Sequence, residues 1–161
     1  MDWSRYRFRS VWDLAAPPDR VFAVLAAADR YPDWWPQVRR VVPHGEDGGT
    51  AVFRSLLPYE LHVTATGQRR DPAAGVLEAA LHGDLEGWVR WTLRPDGHGG
   101  TRARYEQEVT VRKPLMRRLA VPGRPLFRLN HALMMRSGRR GLQALLAARE
   151  PPPGGRPRNA V

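Results

Sequence analysis

The sequence predicts a single α+β domain in which a curved antiparallel sheet of about six to seven strands wraps around one long C-terminal helix. Two short helices follow the first strand. Three observations carry this. Residues 5 to 14 alternate in polarity with the period of a half-buried strand. From about residue 39 to residue 112, short apolar runs are punctuated by Gly, Pro and Asp clusters, the pattern of consecutive hairpins. Beyond Lys113-Pro114 the chain changes to helical periodicity, which persists to Arg149.

In the first strand Tyr6, Phe8, Ser10, Trp12 and Leu14 share one face, and Arg5, Arg7, Arg9, Val11 and Asp13 the other. Pro17 and Pro18 then open a helix, with Asp19 in its first turn where a carboxylate suits the dipole. Val21, Phe22, Leu25 and Ala28 form its apolar stripe, and Asp29 is placed to cap a second short helix holding Tyr31, Trp34 and Trp35. The strands expected next are Arg39 to Pro43, a run from the 45–49 turn through Leu57, Tyr59 to Arg70, Val76 to His82, Leu85 to Arg94 and Thr101 to Arg112. On the last of these, Ala103, Tyr105, Gln107, Val109 and Val111 alternate with Arg102, Arg104, Glu106, Glu108 and Thr110. A short helical piece, 115–121, should be broken by Pro122, Gly123 and Pro125 before a long helix from about Leu126 to Arg149. At 100° per residue, Phe127, Asn130, Met134, Ser137, Gly141 and Leu145 fall on its expected inner side. An antiparallel meander must bury one face, and only this helix is long enough to cover it. A strongly bent sheet around a single helix leaves a gap between them, and that gap is the candidate site.

Composition narrows the function classes. With 161 residues, 42% of them hydrophobic and 26% charged, the chain fits one soluble globular domain: 1–149, followed by a Pro/Gly/Arg tail at 150–161 expected to be disordered. There is no cysteine, which excludes disulfides and thiolate chemistry and points to the cytoplasm. The N-terminal residues lack a signal-peptide core, and the longest apolar run, Val21 to Ala28, is too short to span a bilayer. The five His are scattered without a ligand spacing, and the glycine clusters lack the Lys and Ser/Thr of a phosphate loop, so neither a metal nor a cofactor is expected.

The net charge of +10 is local. Lys113 is the one lysine, and the abundance of Arg, Gly, Pro and Ala reads as a GC-rich bacterial genome. No acidic residue occurs between Glu108 and Glu150, a stretch that carries Arg112, Lys113, Arg117, Arg118, Arg124, Arg128, Arg136, Arg139, Arg140 and Arg149. Such a segment suits an acidic partner, either an acyl carrier protein or an anionic lipid surface, or it is simply a solvated helix face. Nucleic acid is not expected, because the basic residues are not interleaved with exposed stacking aromatics.

Several stretches resemble the polyketide cyclase/dehydrase branch of the SRPBCC superfamily, relatives of START lipid-binding domains. They are Ala16-Pro17-Pro18-Asp19-Arg20-Val21-Phe22, Asp29-Arg30-Tyr31-Pro32-Asp33-Trp34-Trp35, Leu57-Pro58-Tyr59, Gly83-Asp84-Leu85-Glu86-Gly87 with Trp91, and Arg124-Pro125-Leu126-Phe127-Arg128-Leu129-Asn130-His131. The resemblance covers roughly residues 3 to 148 and implies a helix-grip fold around a pocket for a hydrophobic ligand. Members include carriers, aromatases and cyclases, with no single catalytic signature to match here.

The residues expected to line the pocket are Phe8, Trp12, Trp35, Leu61, Trp91, Tyr105, Gln107, Phe127, Asn130 and Met134. Asn130 is placed either to bind a ligand or water, or to bond a strand side chain such as Tyr105 or Gln107. For catalysis, Tyr105 is a candidate to polarise a carbonyl, His131 to serve as general acid or base, and Arg54 to hold an anion. The opposing readings are a satisfied core tyrosine, a rim histidine and a surface arginine. The lead expectation is binding of a small hydrophobic or aromatic, polyketide- or lipid-like molecule. The alternatives are a cyclase, aromatase or dehydratase using the same pocket, and an interaction module built on the basic helix.

Overall fold

The computed structural model describes residues 4–118 and 120–149; the tail at 150–161 lies outside the described residues. The chain runs β1 (Arg5–Leu14), α1 (Pro18–Ala26), a 3-10 helix (Ala28–Asp33), β2 (Val38–Pro43), β3 (Gly48–Phe53), β4 (Leu61–Asp71), β5 (Val76–Gly83), β6 (Leu85–Pro95), β7 (Thr101–Val111), α2 (Pro114–Arg118) and α3 (Ala120–Ala148). The seven strands form one antiparallel sheet in the order β1-β7-β6-β5-β4-β3-β2. Strands β2 to β7 are a meander, and β1 crosses the molecule to pair with β7, placing Phe8 opposite Gln107, Ser10 opposite Tyr105 and Trp12 opposite Ala103. The register slips between Val38 and Arg40 and between Gly67 and Arg69. Such irregularities bend a strand and raise its twist.

The two faces of the sheet separate as the alternation requires. The outer face is held by ion pairs across neighbouring strands, Arg90 with Glu78 at 2.7 Å, Arg112 with Glu86 at 2.8 Å, and both Arg5 and Arg7 with Glu108, and by Arg104 with Glu106 along β7 at 3.2 Å. The inner face is apolar and forms two clusters. One gathers Trp12, Leu14, Phe22, Leu25, Trp34, Trp35, Trp91, Leu93, Leu142 and Leu146 under α1 and the C-terminal half of α3. The other gathers Tyr6, Val63, Leu81, Val109, Val111 and Phe127.

Three sequence expectations are corrected. The helix after α1 is a single 3-10 segment that begins at Ala28, with Asp29 in its first turn and no side-chain cap; Trp34 and Trp35 follow it. The third strand ends at Phe53 rather than Leu57, so residues 54–60 form a bend segment between β3 and β4. The prolines do not delay α3, which begins at Ala120. Pro122 falls in the first turn, where backbone N–H groups have no helical acceptor to lose, and Pro125 forgoes only one bond.

The orientation of α3 also differs. Its buried positions are Phe127, Met135, Gly138, Leu142 and Leu146, roughly one residue's rotation away from the expected stripe. Close approach decides this. A Cβ at Gly138 would lie 2.5 Å from the Trp35 ring, and one at Gly141 would lie 1.7 Å from the Trp34 carbonyl oxygen. The Trp34-Trp35 turn therefore seats against these two glycines, and the Trp35 indole N–H donates to the Met134 carbonyl at 2.9 Å. No helix among the described residues is long and apolar enough to cross a membrane.

Candidate functional site

Between the two apolar clusters the concave face carries polar groups. Gln107, buried on β7, is the centre. Its Oε1 accepts a hydrogen bond from the Tyr105 hydroxyl at 2.7 Å and lies 3.1 Å from His131 Nε2. An amide oxygen can only accept, so Nε2 of His131 carries the ring proton and Nδ1 the lone pair. Burial lowers the His131 pKa to about 4, which leaves the imidazole neutral near pH 7. Burial also pushes the Tyr105 phenol well above its ordinary range, so it stays protonated and its O–H donates to Gln107.

An unbroken line of rings runs through this centre. Trp35 meets Trp12 edge-on at 5.8 Å, Trp12 meets Trp91 at 4.7 Å, and Trp91 meets Tyr105 at 4.9 Å. His131 lies 6.0 Å from Tyr105 and stacks on Phe8 at 3.7 Å, and Phe8 stacks in turn on Tyr6 at 5.8 Å. Phe127 closes the line edge-on to Tyr6 at 6.2 Å. The gap expected between sheet and helix is thus bridged by the Phe8–His131 stack. Two surface clefts lie outside it: one of about 320 Å³ lined by Arg5, Arg7, Arg124 and Arg128, and one of about 240 Å³ along β1, β6 and β7.

Of the residues expected in the site, Phe8, Trp12, Trp35, Trp91, Tyr105, Gln107 and Phe127 share this line or its centre, and Leu61 packs at the edge of the second cluster. His131 turns inward instead of lying on the rim. Asn130 bonds neither a strand side chain nor the centre: its Oδ1 accepts from the Leu56 backbone N–H at 3.2 Å, and its amide approaches the Met134 sulfur at 3.8 Å. Both Asn130 and Met134 are half-buried flank residues, a consequence of the rotation of α3. Arg54 is exposed; because β3 ends at Phe53, the strand alternation that aimed it inward does not extend to it.

Two site residues escaped the sequence reading. The hydroxyls of Tyr6 and Tyr59 are buried with no hydrogen-bond partner among the described residues. Burial raises the pKa of Tyr59 to about 12 and that of Tyr6 above its ordinary range. A buried orphan hydroxyl costs about 1–3 kcal/mol. Tyr6 was legible as an inward residue by alternation. Tyr59 sits in the bend segment, where alternation says nothing.

The sequence profile of the family described as polyketide cyclase / dehydrase and lipid transport matches residues 5–148. The chain belongs to this family. Solved structures support the fold assignment for this polyketide cyclase-type chain. The protein TTHA0849 from Thermus thermophilus aligns with a TM-score of 0.75 at 18% identity, covering 90% of this chain and 100% of its own. The Zhui aromatase/cyclase from a Streptomyces strain aligns with a TM-score of 0.73 at 15% identity, covering 94% and 99%. A START superfamily protein from Mycobacterium smegmatis aligns with a TM-score of 0.70 at 14% identity, covering 89% and 99%. At these identities the likeness shows the helix-grip fold alone. No curated protein sequence matches the chain significantly.

Proposed function

We propose that this protein binds a small, largely apolar molecule bearing oxygen functions, aromatic or polyketide-like, between the sheet and α3. The observation that carries the reading is the set of polar groups held inside an otherwise apolar interior. The Tyr105–Gln107–His131 group offers His131 Nδ1 as an acceptor, and the Tyr6 and Tyr59 hydroxyls are donors without acceptors. An interior kept only for stability has no use for two orphan phenols, whereas a ligand carbonyl or hydroxyl satisfies them. The ring line from Trp35 to Phe127 supplies faces on which a planar ligand stacks after Phe8 and His131 part.

The test is a thermal-shift and calorimetric comparison of matched pairs, a polycyclic phenol or ketone against its deoxygenated hydrocarbon. Preference for the oxygenated member, lost in Tyr6→Phe/Tyr59→Phe, is expected. Equal binding of both members would reject the reading.

A second reading, a cyclase- or dehydratase-type enzyme, is favoured by one feature. A neutral imidazole with its Nε2 proton fixed by Gln107 leaves Nδ1 free to accept a proton from a bound substrate. The low pKa makes it a weak base, so this chemistry requires an already acidic C–H or O–H. His131→Phe would then abolish turnover while leaving ligand affinity within a few-fold, whereas in a carrier no turnover exists to lose.

A further inference from the structure

We propose that the N-terminal half of α3, with the 54–60 segment beside it, is a docking face for an anionic phospholipid surface. Leu126, Leu129 and Leu133 are exposed large apolar residues at i, i+3 and i+7 of one helix. At 100° per residue they point away from the face that carries Phe127, Met135, Gly138 and Leu142. Leu56 is 65% exposed, and its backbone N–H is tied to Asn130 on the same helix, which brings the segment alongside this ridge. Leu56, Leu126, Leu129 and Leu133 are thus exposed on this helix and the segment beside it.

The charge on the helical part of the patch is of one sign, and Glu60 at the end of the 54–60 segment is the acidic residue beside it. Arg117, Arg118, Arg128, Arg136, Arg139 and Arg140 are exposed on α2 and α3, and no acidic residue lies between Glu108 and Glu150. Arg136 and Arg140 continue the leucine line along the helix, whereas Arg128 lies about 100° round from Leu129, on the side of Arg5 and Arg7. Arg128 also lines the cleft of about 320 Å³ with Arg5, Arg7 and Arg124, and Glu108 pairs with Arg5 and Arg7.

The combination selects the partner. A second copy docked face to face would set Arg136 and Arg140 against the same residues of the other copy. Nucleic acid would meet the guanidiniums but gain nothing from four leucines. An anionic bilayer accepts both, with leucines at the headgroup–acyl boundary and guanidiniums on lipid phosphates. The ridge is convex, about 10 Å long over the seven-residue span from Leu126 to Leu133, which suits a yielding surface more than a preformed groove.

The experiment is vesicle co-sedimentation of the full chain without added ligand, so the outcome does not depend on what the interior binds. Phosphatidylcholine vesicles with and without phosphatidylglycerol are compared at low and high salt. Binding is expected only with phosphatidylglycerol, and it should weaken as salt rises. Leu129→Ser/Leu133→Ser and Arg136→Glu/Arg140→Glu should each lower affinity about tenfold or more, with circular dichroism confirming unchanged helix content, since all four side chains are exposed. Equal binding to neutral vesicles, wild-type binding by the leucine variant, or no binding to phosphatidylglycerol at low salt would each overturn the proposal. In the last case retention on an acidic protein column would assign the face to a protein partner instead.

Discussion

Replacing Gln107 with leucine tests whether the interior polar group is a connected unit. The side chain is buried in mid-β7, and its Oε1 is shared by Tyr105 and His131 at 2.7 and 3.1 Å. Leucine is close to it in size and keeps the shape of the site, but it removes the acceptor from two buried donors at once. Each orphaned donor costs about 1–3 kcal/mol, giving roughly 2–6 kcal/mol. The added apolar burial returns about 1–2 kcal/mol. The expected net destabilisation is therefore about 0–5 kcal/mol with a centre of about 2–3 kcal/mol, read by urea denaturation at pH 7. A double-mutant cycle with Tyr105→Phe sharpens the test. Phenylalanine has no hydroxyl to strand, so the double variant should be more stable than the sum of the singles predicts, by about 1–2 kcal/mol. Strict additivity in the cycle would refute the connected unit.

Other perturbations probe different parts of the molecule. Burial lowers the His131 pKa to about 4 from its ordinary 6.5, so the unfolded chain takes up the proton first as pH falls. The stabilising contribution is complete above about pH 6.5 and is lost as pH drops toward 4, a change of about 3 kcal/mol. His131→Phe, which keeps the stack on Phe8, should flatten that part of the stability profile, and an unchanged slope would show that His131 is not the group responsible. Gly138→Ala sets a methyl 2.5 Å from a Trp35 ring already held by its bond to Met134; a loss of about 1–3 kcal/mol is expected in thermal denaturation, and a neutral effect would contradict the seating of α3. Tyr6→Phe and Tyr59→Phe each delete a hydroxyl with no partner among the described residues, so the empty protein should be unchanged or more stable by up to about 1 kcal/mol. Destabilisation by more than that would mean the hydroxyls have internal acceptors after all.

The sequence carried the strand faces further than the helix face. Alternation in β1 and β7 assigned Tyr6, Phe8, Trp12, Tyr105 and Gln107 to the interior, because a period of two admits only one buried set once the charged set is recognised. The seven-strand curved sheet and long helix followed from the same pattern. On α3 the signal was ambiguous: leucines at 126, 129 and 133 compete with Phe127, Met135 and Leu142 for the core. The winning face was set by Trp34 and Trp35 settling on Gly138 and Gly141, a long-range contact that periodicity cannot reveal. That single rotation accounts for His131 pointing inward and Asn130 and Met134 turning to the flank. The end of β3 at Phe53 was hidden for a different reason. The apolar residues Leu56 and Leu57 prolong a strand-like run through a segment that bends, which misplaced Arg54 and left Tyr59 unnoticed.

The claim at the centre is that the interior between the sheet and α3 accepts a small oxygen-bearing apolar molecule. Native mass spectrometry of the protein as purified, followed by extraction and identification of anything bound, addresses it most directly. The account predicts a stoichiometric species of low mass carrying carbonyl or hydroxyl groups, which Gln107→Leu and Tyr6→Phe/Tyr59→Phe proteins retain less well. A protein that emerges empty and gains no thermal stability from any member of a panel of phenolic, polyketide-like and lipid molecules would contradict it.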